Sequence, residues 1–198
     1  MIKKITLLLL CIAPLLCLAQ RQGKEVSFAI TNSHSAYPFA SFSKLFTGPI
    51  HPGIEAGYGF NWKTKPKHDW YQSFRIGFFH HRFVQTAIPL YTQFGYRFKP
   101  FRRVSINGAL GAGYLHSIPA VAVLKQNDNG EYEKAKGLGR PQVLFNLSFG
   151  ARYSFKEGTS SNVFIAYNQQ LQTPFINSYV PLLPYNSIAL GFSMPLKK

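Results

Sequence analysis

No cysteine follows Cys17, so beyond the N-terminal segment the chain has neither a disulfide nor a thiol nucleophile. Something other than crosslinks must hold it together. Acidic residues are also few, with seven Asp and Glu against 22 Lys and Arg and a formal net charge of +15. After Leu18 no stretch is long and apolar enough for a spanning helix, yet 46% of the chain is hydrophobic and 16% aromatic. A soluble domain would place that content in a core, whereas a barrel shows it to lipid on alternate residues.

The N-terminus reads as an export signal. Lys3 and Lys4 precede an apolar run from Ile5 to Leu18, and Cys17 and Ala19 fit the −3 and −1 positions of a cleavage site. Leu10 before Cys11 and Leu16 before Cys17 argue against a lipidated cysteine. The expected division is a signal peptide over 1–19 and one domain over 20–198. Cleavage removes both cysteines and leaves 20 basic and seven acidic residues. So basic a balance suggests nucleic acid, but export argues against that partner and for anionic lipid or lipopolysaccharide phosphate.

Periodicity sets the architecture. From Gly53 to Trp62, Ile54, Ala56, Tyr58, Phe60 and Trp62 alternate with Gly53, Glu55, Gly57, Gly59 and Asn61. The same dyad recurs around Phe74–Phe78, Leu90–Phe98, Val104–Tyr114 and Phe145–Phe155, and in shorter form at Val26–Ile30, Val163–Tyr167 and Ile188–Met194. That makes eight strands, an even number that closes an antiparallel up-and-down transmembrane β-barrel. The connections are expected at Asn32 to Pro52, Lys63 to Asp69, Arg82 to Ala87, Lys99 to Arg103, His116 to Pro141, Lys156 to Asn162 and Gln169 to Asn186. Three of the four odd-numbered ones are long and all the even ones short, as for external loops and periplasmic turns.

On these residues the chain resembles the small eight-stranded outer-membrane barrels of the OmpA and OmpX type, and its Ala19–Gln20 junction and aromatic, glycine-rich strands are similar to exported barrels of Bacteroidota. The resemblance implies a Gram-negative cell envelope. Its end, Met194 to Lys198, departs from the terminal aromatic residue common in such barrels.

The inward parity carries Glu55, Arg75, Gln93, Arg97 and Arg152, and a buried charge there must be paired. Glu55 reads as the only acid well inside a strand. If the turn after Lys63 pairs Trp62 with Trp70, Arg75 lies one diagonal step from Glu55 and the two form an ion pair. His34, His51, His80, His81 and His116 fall near external ends, and the same register sets His51 opposite His81. The expectation is ordinary rim histidines, with no metal or other cofactor; a transition-metal rim site and catalysis are the alternatives weighed against it.

No catalytic residue is assigned. Deacylases of lipid A that use this architecture carry a His, one residue, then Ser, whereas here His34–Ser35 and His116–Ser117 are adjacent. A lipid-modifying enzyme is therefore the second reading, and a narrow pore the third. Asn129–Gly130, beside a weak calcium-loop likeness at Gln126–Glu131, reads as a hairpin turn. The external loops are unusually apolar. Phe39, Phe42 and Phe46 in the first have helical spacing and are expected to turn an aromatic face down; Phe175, Tyr179, Leu182 and Leu183 are expected in the fourth. These seven are the binding candidates, for outer-membrane lipid or for a protein or glycan partner. The basic turns Lys63 to Lys67 and Lys99 to Arg103, with Trp62 and Trp70 beside them, read as a lipid-phosphate anchor and aromatic girdle.

Overall fold

A computed structural model describes residues 22–35, 42–120, 124–126, 130–134, 139–156, 161–175 and 181–196. The expected signal peptide, Phe39, Tyr179 and half of the calcium-like stretch, residues 127–129, lie outside them. The elements are β1 (Gln22–Ser35), α1 (Lys44–Thr47), β2 (Pro52–Thr64), β3 (His68–His81), β4 (Gln85–Phe98), β5 (Val104–Pro119), β6 (Leu124–Gln126), β7 (Tyr132–Lys134), β8 (Arg140–Ser154), β9 (Asn162–Thr173) and β10 (Leu183–Pro195). The eight long strands close into one barrel in the order β1-β10-β9-β8-β5-β4-β3-β2. Every neighbouring pair is antiparallel, so the wall has no free edge. The short strands β6 and β7 form a separate hairpin, closed near Gly130 at φ 85.

Strand tilt follows from the register. A walk from Ser35 through Tyr185, Gln170, Asn146, Gly111, Gln93, Ser73 and Gly59 returns to β1 at Glu25, ten residues below its start. A shear of ten over eight strands tilts them by about 40°, given the usual rise and strand spacing. The resulting tube is narrow enough for its inward side chains to fill.

The outward parity is a belt of exposed apolar residues: Phe28 and Ile30 on β1, Phe74, Ile76 and Phe78 on β3, Phe145 and Phe149 on β8, Leu190 and Phe192 on β10. Water does not tolerate such a wall, and lipid does. Trp62 and Trp70 stand exposed at the short-turn end, beside Lys63, Lys65 and Lys67. Phe149→Arg, in the middle of this belt, is expected to cost roughly 2–4 kcal/mol. Equilibrium unfolding in lipid vesicles measures it, and an unchanged midpoint would mean that Phe149 does not face the bilayer.

Several strands run further than alternation suggests. β1 begins at Gln22 and ends at Ser35, β9 continues through Gln169, Gln170 and Gln172 to Thr173, and β10 starts at Leu183. The first and seventh connections, which are external loops 1 and 4, shrink accordingly, and Leu183 is a wall residue paired with Gln172 instead of a loop residue. The reason is that polar–apolar contrast lasts only while one face meets lipid, whereas backbone pairing continues past it. At the β2–β3 turn a bulge between Asn61 and Lys63 sets Lys63, not Trp62, opposite Trp70. Above that bulge Glu55 faces Gly77 and Gly57 faces Arg75.

Candidate functional site

The lumen is built in layers. Nearest the short turns, Arg152 Nη1 donates to both oxygens of Glu25, at 2.8 and 2.9 Å, and Arg97 Nη2 donates to Glu25 Oε1 at 3.1 Å. Arg97 also lies 3.8 Å from Asp69, whose other oxygen accepts from Lys99 at 2.8 Å. The Tyr71 ring lies under the Arg97 guanidinium at 4.8 Å. Gly95 makes room for that ring, because a Cβ there would meet Tyr71 carbon at 2.4 Å. Alternation on β1 starts only at Val26 and so does not reveal Glu25, and Asp69 falls in the stretch whose composition marks a turn. Glu55 is thus one of three carboxylates on the described barrel strands.

The middle layer joins Arg75 to Glu55, which also accepts from the Tyr91 hydroxyl. Phe164 lies between the two layers, with Arg75 at 6.0 Å and Arg152 at 5.5 Å from its ring centre. Gln93 is 2% exposed and accepts weakly from Ser73 at 3.5 Å. Three carboxylates, Glu25, Glu55 and Asp69, therefore meet three guanidinium groups, Arg75, Arg97 and Arg152, inside the wall. The surplus positive charge lies elsewhere, on Lys63, Lys65, Lys67, Arg102 and Arg103 at the short turns among other places.

Above these, Phe79, Ala87, Tyr91, Leu115, Leu144 and Tyr185 form an apolar plug. Near the long-loop end Gln85 and Gln172 exchange hydrogen bonds across the lumen at 2.6 and 3.1 Å, and Ser117 donates to Gln85. All three are at most 2% exposed.

At the mouth, β1, β2 and β3 bring His34, His51 and His81 together. His51 and His81 stack with ring centres 3.7 Å apart, and His34 lies 6.0 Å from His51. The exposed apolar belt stops at Ile30 on β1 and Phe78 on β3, so the three rings lie beyond it. Burial, followed by repulsion from His51, holds His81 down at about 4 and lowers His34 from its ordinary value. The His81 ring is therefore neutral at pH 7.

Loop 1 does not cap the mouth. Asn32, on the outward parity, donates to the Leu45 carbonyl at 2.8 Å and accepts from the His51 amide at 2.8 Å. Phe42 packs edge-on against Tyr167, an outward residue of β9, at 5.3 Å. The segment therefore folds back over the outside of β1, β10 and β9, with Leu45 3% exposed beneath it. Phe42 and Phe46 stay 50% and 63% exposed, the reverse of the expected inward aromatic face. One reason is that the helix is a single turn, in which Leu45 takes the side facing the wall. Phe175 lies at the base of the fourth loop, where its carbonyl accepts from Arg140 at 3.2 Å, and Leu182 is exposed.

Neither His–Ser pair forms a nucleophile and its base. Adjacent strand residues point to opposite faces. Ser117 turns inward to Gln85, while His116 Nδ1 is 2.8 Å from the Tyr114 hydroxyl on the outward side. A concavity of about 610 Å³ lies on the outer wall around Ala56, between the side chains of Phe28, Ile54, Ile76 and Phe192.

No protein-family model and no curated protein matches the chain. Among solved structures, Neisserial surface protein A superposes with a TM-score of 0.51 at 7% identity, over 87% of this chain and 96% of that one. The outer membrane enzyme PagL gives 0.49 at 11% identity over 87% and 99% of the two chains. Ail of Yersinia pestis, in complex with the heparin analogue sucrose octasulfate, gives 0.47 at 14% over 88% and 99%. Identities this low speak for fold alone. Closure of eight antiparallel strands, an apolar outer belt and a charged, filled lumen give this chain the fold of the small eight-stranded outer-membrane β-barrels.

Proposed function

We propose that the protein is a non-enzymatic outer-membrane barrel whose role is structural or binding, exerted at its long-loop end on outer-leaflet lipid and lipopolysaccharide. The observation that carries this reading is loop 1, which holds Phe42, Phe46 and Ile50 exposed against the outside of the wall instead of over the mouth. Apolar groups beside a bilayer gain by entering it. The opposite end supports the same orientation. There Lys63, Lys65, Lys67, Lys99, Arg102 and Arg103, next to exposed Trp62 and Trp70, suit the phosphates of the periplasmic leaflet. Layers of buried side chains across the lumen argue against a pore.

The test is a photo-crosslinking residue placed at Phe46 in cells. Capture of lipopolysaccharide is expected, and Phe42, Phe46 and Leu182 changed together to Ser should leave a heat-modifiable, folded barrel that has lost this contact. Labelling by water alone at position 46 would refute the reading. So would a change in lipid A mass on overproduction that His34→Ala or His116→Ala abolishes, since that outcome makes the protein an enzyme.

A further inference from the structure

We propose that His34, His51 and His81 form a binding site for a first-row divalent transition ion, of the Zn2+ and Cu2+ class, at the long-loop mouth of the barrel. Each ring supplies one ligand nitrogen, and the three nitrogens lie within 4.8 Å of one another. His51 and His81 are 4% and 8% exposed, so their polar atoms have little water to turn to.

Hydrogen bonding leaves the right atoms unused. His51 Nδ1 lies 3.0 Å from the Ser33 carbonyl, which can only accept, so Nδ1 carries the proton and Nε2 presents a bare lone pair. This arrangement, one imidazole nitrogen held by a backbone carbonyl and the other free, is how metal-binding histidines are usually oriented. Among the described residues His34 Nδ1, His51 Nε2 and His81 Nδ1 are buried without a hydrogen-bond partner. Three such atoms side by side are costly, and a single water has only two protons to offer them. One cation takes the lone pair of His51 Nε2 and, with the proton of each of the other rings on Nε2, those of His34 Nδ1 and His81 Nδ1.

The frame is already fixed. The Ser33 amide donates to the His51 carbonyl at 3.1 Å, the His51 amide donates to Asn32, and the Val84 amide donates to the His81 carbonyl at 3.0 Å. Coordination requires a small motion of the rings. Tetrahedral bonds of the usual length hold nitrogens about 3.3 Å apart, so the stacked His51 and His81 rings must tilt toward a common point. Imidazole donors without a carboxylate select borderline transition ions over Ca2+ or Mg2+. Three protein ligands leave a fourth position for water or an incoming group.

Tag-free protein folded in detergent, stripped with chelator and titrated with ZnCl2 by calorimetry tests the site. One ion per chain is expected. Alanine at His34, His51 or His81 should each weaken binding by at least the ~10–100-fold usual for losing a partner that only supports a ligand. His80→Ala should not weaken it, since that ring points outward to Thr86 at 2.9 Å. No Zn2+ uptake by the wild type, or unchanged affinity after all three alanine substitutions, overturns the proposal. Should those variants misfold, paramagnetic resonance of the Cu2+-loaded wild type decides alone. Hyperfine coupling to three nitrogens supports the site, and coupling to fewer overturns it.

Discussion

Glu25→Ala is expected to destabilise the barrel by about 3–5 kcal/mol, the usual cost of leaving a buried charge unpaired. The removed carboxylate holds Arg152 through two hydrogen bonds and Arg97 through one, and the two arginines are 7% and 8% exposed. Arg97 keeps a 3.8 Å contact with Asp69, but among the described residues Arg152 keeps the Phe164 face and no second carboxylate. Adding Arg152→Leu should therefore recover much of the loss, whereas adding Arg97→Leu should recover less. Urea unfolding in lipid vesicles, followed by tryptophan fluorescence, supplies the numbers. A Glu25→Ala barrel as stable as the parent would mean that water reaches these arginines and the lower lumen is wet.

Glu55→Ala is expected to cost a similar amount, about 3–5 kcal/mol, by stranding Arg75 and the Tyr91 hydroxyl together. Here the informative quantity is the coupling in a double-mutant cycle with Arg75→Leu. If the pair acts as a unit, the double variant is more stable than the sum of the single losses predicts. Additive losses would show that the two side chains do not interact, whatever their proximity. Tyr91→Phe separates the hydroxyl from the guanidinium, and a smaller loss, about 1–3 kcal/mol, is expected for that hydrogen bond to a charged group.

Much of the wall was legible because lipid imposes a two-residue period on any strand that crosses it. The repeat over Gly53–Trp62 and Phe145–Phe155 required no knowledge of partners. The Glu55 and Gly77 register matches the expectation although the turn pair assumed for it does not, because the shift at Trp62 lies below Asn61 and leaves the pairing above it in the expected register. The bulge between Asn61 and Lys63 was not legible, since nothing in Asn61–Trp62–Lys63 marks an extra residue. Strand ends beyond the belt were hidden for a different reason. At Lys24–Glu25 and at Gln169–Gln170 both parities are polar, so alternation vanishes while the ladder continues. That is why Glu25, partner of two arginines, passed for a residue outside the wall.

The histidine cluster shows the same limit at longer range. His51 opposite His81 follows from one hairpin, but the approach of His34 depends on how the ends of β1 and β2 lie at the rim. In loop 1 the legible signals are apolar composition and the helical spacing of Phe39, Phe42 and Phe46. Composition says that Phe42 and Phe46 need cover but not on which side of the wall, and Asn32 and Tyr167 decide that through contacts made outside the barrel.

Glu25 also constrains the order of events during biogenesis. It lies on the first strand, yet its partners follow it by 72 and 127 residues, and β10 must arrive before the first strand is paired on both sides. A nascent sheet of the early strands therefore carries an open hydrogen-bonding edge and an uncompensated carboxylate at once, and neither can be settled locally. Such long-separation contacts make folding slow and concerted. Insertion of this chain should accordingly proceed as a single closing event, with few stable half-barrels, and depend on whatever shields the first strand until the last one docks.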